Sequence, residues 1–339
     1  MAGDRVRQNK DQNRGKGQSR DVQISKALSL LLRHAAEKEG LKLNTQGYAN
    51  VADVLQWRKL KSIKCSFDEI KHAVDSSDKK RFALLHIPSS QPTASTSTAT
   101  TIPGSHSVEE AESVKPDTST SVLEAPSTAE EQTNTTQQAL AAADANPANY
   151  LIRATQGHSI KTVDAASFLE PLSLDDESKL PDTVVHGTFH GAWPLILQSG
   201  GLKCMTRNHV HFATGPSLES IIAAQQEETN ETKQGTGERK VISGMRWDAQ
   251  VLIYIDIRKA LKAGCPFWRS ENGVILSEGL PVSDASGDTE GSVQRVLPVE
   301  FFDVVIERKA KLGKIWEKGE VLQELPAHLM NKGNPKNRR

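Results

Sequence analysis

One stretch of composition constrains this chain more than any motif does. From 88 to 148 the residues are mostly Ser, Thr, Ala, Pro and Glu, with few large apolar side chains. Such a segment buries too little apolar surface to offset the entropy of ordering its backbone, so it predicts a disordered linker. The 339 residues are thereby cut into two folded blocks, 21–87 and 149–325, flanked by a polar basic arm (1–20) and a basic tail (326–339). A chain that is 37% hydrophobic and 5% aromatic fits this plan better than one packed throughout.

Charge follows the same division. The formal net charge is zero, yet residues 1–87 carry 18 Lys and Arg against 10 Asp and Glu, whereas 88–150 carry 1 against 8. The basic part is the one suited to a polyanion such as nucleic acid. No apolar run approaches the roughly 18 residues that would cross a bilayer, and the first residues hold no apolar stretch of the secretory kind, so an intracellular protein without a membrane partner is expected. Cys65, Cys204 and Cys265 are too scattered for a disulfide framework or a CxxC zinc site.

Periodicity supplies the elements. Ile24, Ala27, Leu28, Leu31 and Ala35 recur at helical spacing, with Asp21 as the expected N-cap and Gly40 as the stop, which puts Arg33 and His34 in the last turns. Asn50 is placed to cap a second short helix, and Ser66 with Glu69 has the spacing of a capping box for a third. Arg81 then opens an alternating run, RFALLHI. Three short helices and a strand within 70 residues resemble a winged-helix module. In the second block TVVHGTF, HVHFAT, QVLIYIDI, NGVIL and EFFDVVI read as strands, with helical pieces near 193–199 and 257–263 and loop insertions at 225–240 and 282–293. The fold class expected is α+β.

Four segments carry candidate chemistry, and each has an ordinary reading beside it. Arg33 and His34 near a helix end complement its dipole whether or not they bind anything. Gly187, within His186-Gly187-Thr188, either lets a ligand approach the backbone or serves a plain turn. His209 and His211 alternate on one strand but lack the further ligands of a zinc site. Arg246, in Gly244-Met245-Arg246, stands where a guanidinium can grip phosphate.

The succession of segments is more specific than any one of them. LLRHAAEKEG, KKRFAL, IRATQGHSI, VVHGTF, GLKCMTRNHVHFATG, VISGMR, VLIYIDI and FWRSENGVIL resemble, in sequence and order, the motif set of the tRNA 2'-phosphotransferase family, across about 20–87 and 149–305. The resemblance implies a winged-helix-like RNA-binding lobe, an ADP-ribosyltransferase-like lobe that takes NAD as a consumed co-substrate, and no metal. It implies as substrate a tRNA bearing a 2'-phosphate at its splice junction, and a monomeric enzyme of the nucleus or cytoplasm. Carried over by position, the catalytic set is Arg33, His34, Arg81 and Arg246, and the RNA phosphate falls to Arg33, His34, Lys79 and Arg81. NAD falls to His186, Gly187, Thr188, Arg207, His211, Ser243 and Gly244. Toxin-type relatives have a catalytic Glu near the position of Val274; a phosphate dianion as nucleophile needs no such base. Two rivals remain at this stage, an ADP-ribosyltransferase acting on protein or nucleic-acid ends and a non-catalytic RNA-binding module.

Overall fold

The computed structural model describes residues 19–88, 129–164, 167–227, 244–282 and 294–330. The expected basic arm to residue 18, most of the expected linker, most of both loop insertions and the tail from Asn331 lie outside these residues.

The first lobe begins with α1 (Arg20–Leu30), which starts after Ser19 and not after Asp21. Asp21 lies instead in the first turn, where its charge complements the free N–H groups without closing a cap. Ile24 and Leu28 are buried, and the helix runs into one π-helical turn, Leu31–Ala35, which carries Arg33 and His34. Single π turns recur at functional sites because the extra residue re-aims its neighbours. After β1 (Ala49–Asn50), the Asn50 side chain accepts from the Ala52 N–H and starts α2 (Val51–Gln56), as the sequence predicts. Then come α3 (Arg58–Ser62) and α4 (Phe67–Asp75), whose capping box forms in both directions between Ser66 and Glu69. The alternating run becomes β2 (Phe82–His86).

The linker reading fails over its last third. Residues 129–141 form a helix, α5 (Ala129–Ala141), lying along β2. Its buried face is built from Gln132, Thr136 and Ala139, and Thr136 Oγ1 accepts from the Leu84 N–H at 3.3 Å. Short and polar side chains docked by hydrogen bonds leave no hydrophobic periodicity, so composition concealed them. The block boundary moves too. β3 (Tyr150–Ala154) lies between β1 and β2 in a three-stranded antiparallel sheet. Tyr150, Ile152 and Ala154 join Leu28, Leu32, Leu60, Ile70 and Leu84 in one core, so the first lobe closes near 154 and not at 87.

The second lobe contains β4 (Glu170–Leu172), β5 (Val185–Thr188), α6 (Trp193–Gln198), β6 (Gly201–Lys203), β7 (Val210–Phe212) and α7 (Leu218–Glu227). It continues with β8 (Val251–Ile255), α8 (Ile257–Lys262), β9 (Phe267–Arg269), β10 (Ile275–Ser277), β11 (Leu280–Pro281) and β12 (Arg295–Pro298). β13 (Phe302–Glu307), β14 (Gly313–Glu317), β15 (Glu320–Val321) and α9 (Ala327–Met330) complete it. The five strand runs read from the sequence fall on β5, β7, β8, β10 and β13.

The strands form sheets in the orders β15-β14-β13-β8-β5, β4-β9-β10-β7 and β11-β12-β6, with antiparallel pairing. β8 is buried along its whole length, which its unbroken apolar run VLIYI requires. The two larger sheets meet where Val185 bridges Ala213, so the ends of β5 and β7 open side by side. The architecture is mixed α+β.

Candidate active site

A cleft of about 780 Å³ opens where the first lobe meets the ends of β5 and β7. Arg33, Lys79 and Arg81 reach it from the first lobe; His186, Gly187, Thr188, Arg207, His211, Gly244 and Arg246 reach it from the second. Side chains from as far apart in sequence as positions 33 and 246 are thus brought to one cleft. Ser243 lies outside the described residues. His34 does not line the cleft: it is exposed beside it, with Nδ1 2.9 Å from Ser159 Oγ. Asn272 and Gln156 do line it. Both were missed, although each stands beside a loop glycine in a quoted segment, which is the signal that finds them.

Six cationic side chains line the cleft, Arg33, Lys79, Arg81, Lys203, Arg207 and Arg246, and no Asp or Glu among the described residues does. Arg33 Nε and Nη2 are buried without a hydrogen-bond partner among the described residues, a costly arrangement unless a ligand supplies acceptors. Burial, then the charges of Arg207 and Arg81, bring the Arg33 guanidinium down to about 10. Burial and then Arg246 lower Arg207, and burial and then Arg81 lower Lys79. Arg81 is lowered by burial, with Asp78 opposing, and its Nη1 donates to Ser77 Oγ at 3.3 Å. His34 is held below its ordinary value by partial burial, then by Arg207 and Arg33.

His186 and His211, from the second lobe, are held below the ordinary imidazole value as well. His186 Nδ1 lies 2.9 Å from the His211 carbonyl, and His211 Nδ1 lies 3.0 Å from that of His209. A carbonyl only accepts, so Nδ1 carries the proton in each ring and Nε2 keeps a lone pair. Burial lowers both imidazoles, with Arg207 adding to it. Between His211 and Arg33 runs the backbone of Gly157 (φ +87°), where a Cβ would lie 3.5 Å from His211 Nε2 and 3.6 Å from Arg33 Nη1. Among the described residues no group of three or more His, Cys, Asp or Glu is placed to hold a metal ion.

Glycine at 187 has a reason the sequence did not disclose. A Cβ there would meet Met245 Cγ at 2.4 Å and Ala249 Cβ at 2.8 Å, so the glycine makes room for the segment that carries Arg246. That segment is fixed from the other side, since Arg308 Nε donates to the Ala249 carbonyl at 2.7 Å and the Gln250 N–H donates to the Thr188 carbonyl at 2.8 Å. The Arg246 guanidinium then lies 5.5 Å from the Phe189 ring centre. Val274 is buried among Ala36, Ile160 and Phe168, which leaves it a packing role. Asn272 Nδ2 donates to the Lys79 carbonyl at 2.8 Å and so ties the β9–β10 turn to the first lobe.

Comparison with known proteins gives a consistent picture. A family model described as RNA 2'-phosphotransferase, Tpt1 / KptA family, matches residues 19–279. The tRNA 2'-phosphotransferase 1 of Danio rerio is 31% identical over 278 residues, covering 81% of this chain and 85% of the relative. That of Homo sapiens is 32% identical over 78% of this chain and 72% of its own length. The tRNA 2'-phosphotransferase of Saccharomyces cerevisiae is 31% identical over 78% of this chain and 81% of its own.

Proposed function

The chain belongs to the RNA 2'-phosphotransferase, Tpt1 / KptA family, and on that premise we propose that it removes the splice-junction 2'-phosphate of tRNA by transferring it to NAD. The observation that carries the reading is the cleft itself, which is lined by six cations and, among the described residues, by no Asp or Glu, and where Arg33 Nε and Nη2 are buried without an acceptor among those residues. Its volume lies within the range that small ligands occupy. In this reading the first lobe is the winged-helix-like RNA-binding part and the second the ADP-ribosyltransferase-like part.

The chemistry has two steps. The RNA 2'-phosphate attacks C1'' of the nicotinamide ribose, a C–O bond forms as the bond to nicotinamide breaks, and RNA 2'-phospho-ADP-ribose results. The ribose 2''-hydroxyl then attacks phosphorus and expels the RNA 2'-oxygen, giving 2'-hydroxyl RNA and ADP-ribose 1'',2''-cyclic phosphate. Both steps turn on one anionic phosphoryl group, which is the dianionic nucleophile in the first and gathers negative charge on its oxygens in the second. Arg33, Arg81 and Arg246 hold and neutralise it, with Lys79 on the RNA side; a donor preorganised in this way contributes about 2.7–4 kcal/mol to the transition state.

His34 acquires its role from the substrate. A phosphate dianion entering beside it opposes Arg207 and Arg33, raises its pKa and lets it donate a proton to the departing RNA oxygen. His186, Gly187, Thr188, Arg207, His211 and Gly244 form the NAD side, together with Ser243. The test is incubation of a 2'-phosphorylated oligonucleotide with and without NAD. Nicotinamide, cyclic phosphate and 2'-hydroxyl RNA are expected only with NAD; phosphate lost equally without it overturns the reading. Arg246→Ala and His34→Ala should slow the second step more than the first, so that the RNA-linked intermediate accumulates.

A further inference from the structure

The cleft changes character at its mouth. Among the described residues Met205, 85% exposed, and Trp247, 72% exposed, are the most exposed of the large apolar side chains. Met205 lines the cleft two residues before Arg207, and Trp247 directly follows Arg246, which lines the same cleft. Neither exposure is the by-product of a loose loop. Met205 is held at φ +56°, a region that non-glycine residues rarely adopt, and there its side chain gains no burial. The backbone at Trp247 is fixed by Arg308, whose Nη2 donates to the Trp247 carbonyl while its Nε holds Ala249.

Each of two turns therefore brings an arginine to the cleft and carries a largely exposed apolar side chain one or two residues away. The pairing matches the two halves of a nucleotide in single-stranded RNA, an anionic phosphate and a flat base with exposed faces. A double helix would offer the phosphate but keep its base faces stacked. A free dinucleotide would be largely enclosed by its site. Side chains this exposed meet a ligand that continues out of the cleft, as a polymer does.

We propose that Trp247, assisted by Met205, is a stacking platform for an unstacked nucleobase adjoining the 2'-phosphate, so that this enzyme engages its RNA as single strand at the reacting nucleotide. The inference rests on the 2'-phosphotransferase reading for its substrate, but it is tested by binding, without turnover. In fluorescence polarisation without NAD, Trp247→Ala weakens binding of a labelled 2'-phosphorylated oligonucleotide about tenfold, within the range for loss of one base–aromatic stack. Trp247→Phe retains most of the affinity. An oligonucleotide with abasic nucleotides on both sides of the 2'-phosphate binds the wild-type protein as weakly as the intact one binds Trp247→Ala, and Trp247→Ala loses nothing further on it.

A separate titration with NAD alone gives the same Kd for wild type and Trp247→Ala. Equal RNA affinities for wild type and Trp247→Ala overturn the inference, as does a loss that persists on the abasic oligonucleotide or falls on NAD instead. Failure of the functional reading looks different: the wild-type protein then binds the RNA through Trp247 yet transfers no phosphate when NAD is added.

Discussion

Replacing Gln132 by Ala tests whether α5 belongs to the fold. Gln132 is 3% exposed; its side-chain oxygen accepts from Arg153 Nη2 at 2.7 Å and its Nε2 donates to the Phe168 carbonyl at 2.6 Å. Arg153 is fully buried, 4.1 Å from the Phe168 ring centre and 4.9 Å from that of Tyr48, and its Nε and Nη1 have no hydrogen-bond partner among the described residues. Removing the Gln132 oxygen therefore takes an acceptor from a buried cation that is already short of them. A hydrogen bond to a charged group contributes about 1.5–3 kcal/mol, and a neutral one to the Phe168 carbonyl about 1 kcal/mol, so the loss is about 3 kcal/mol.

For a folded unit of this size each kcal/mol shifts Tm by about 2–4 °C, which makes the expected fall about 6–12 °C by circular dichroism or dye-based melting. Exposed Asn134 on the same helix is the control, and Asn134→Ala should move Tm by less than about 2 °C. A Gln132→Ala shift no larger than that of the control would refute the reasoning, because it would mean that α5 is not docked on Arg153 in solution.

The remaining predictions concern the same junction and the cleft. Deleting 92–126 should leave melting and transfer activity near wild type, whereas deleting 92–145 removes α5 and should lower Tm sharply; equal melting of the two would contradict the placement of α5. Burial, then Arg33 and Arg153, brings His158 down to about 3, and burial brings His209 down to about 4. Both are neutral when folded and take up protons when unfolded, so their stabilisation is complete above about pH 6.5 and is lost as pH falls toward their folded values, by up to about 1.4 kcal/mol per pH unit for each. His158→Gln should flatten the fall of Tm between pH 7 and 5, and an unchanged slope would remove His158 from that account. Gly187→Ala should cut activity at least tenfold by displacing Met245, and adding Met245→Ala should restore part of it; no rescue would show that the glycine serves the ligand directly.

Where the sequence was legible, the signal was one that repeats or stops a backbone. The Ser66–Glu69 capping box, Asn50 at the start of α2 and the uninterrupted apolar run of β8 all formed where spacing placed them. α5 was illegible for the converse reason, being held by Gln132, Thr136 and Ala139 against partners far away in the chain. The pairing of β3 with β1 and β2 across that stretch was hidden too, since no local pattern records which strands become neighbours. At the cleft, Arg33, Arg81, Arg207 and Arg246 were found through motif succession. Asn272, which contacts the first lobe, was signalled only by its place before Gly273 in a quoted segment, and Arg308, which holds the Arg246 segment, emerges only from hydrogen bonds.

The location of the cations follows from what the two cores can tolerate. Arg33 stands one residue beyond the buried Leu32, and Arg81 one residue before the buried Phe82, so each charge begins where an apolar run ends. Arg246 stands likewise one residue beyond buried Met245, and Arg207 three residues before buried Val210. Apolar packing in each lobe fixes the backbones and forces the guanidinium groups together at the seam. Their mutual repulsion and lost solvation oppose folding, as the lowering of Arg33 to about 10 records. An anion bound at the seam reverses both terms, and a ligand present at a hundredfold its Kd adds about 2.7 kcal/mol of stability. A cleft that gathers cations in this way is thus a local weakness of the fold, and the well-packed lobes on either side are what allow it to persist.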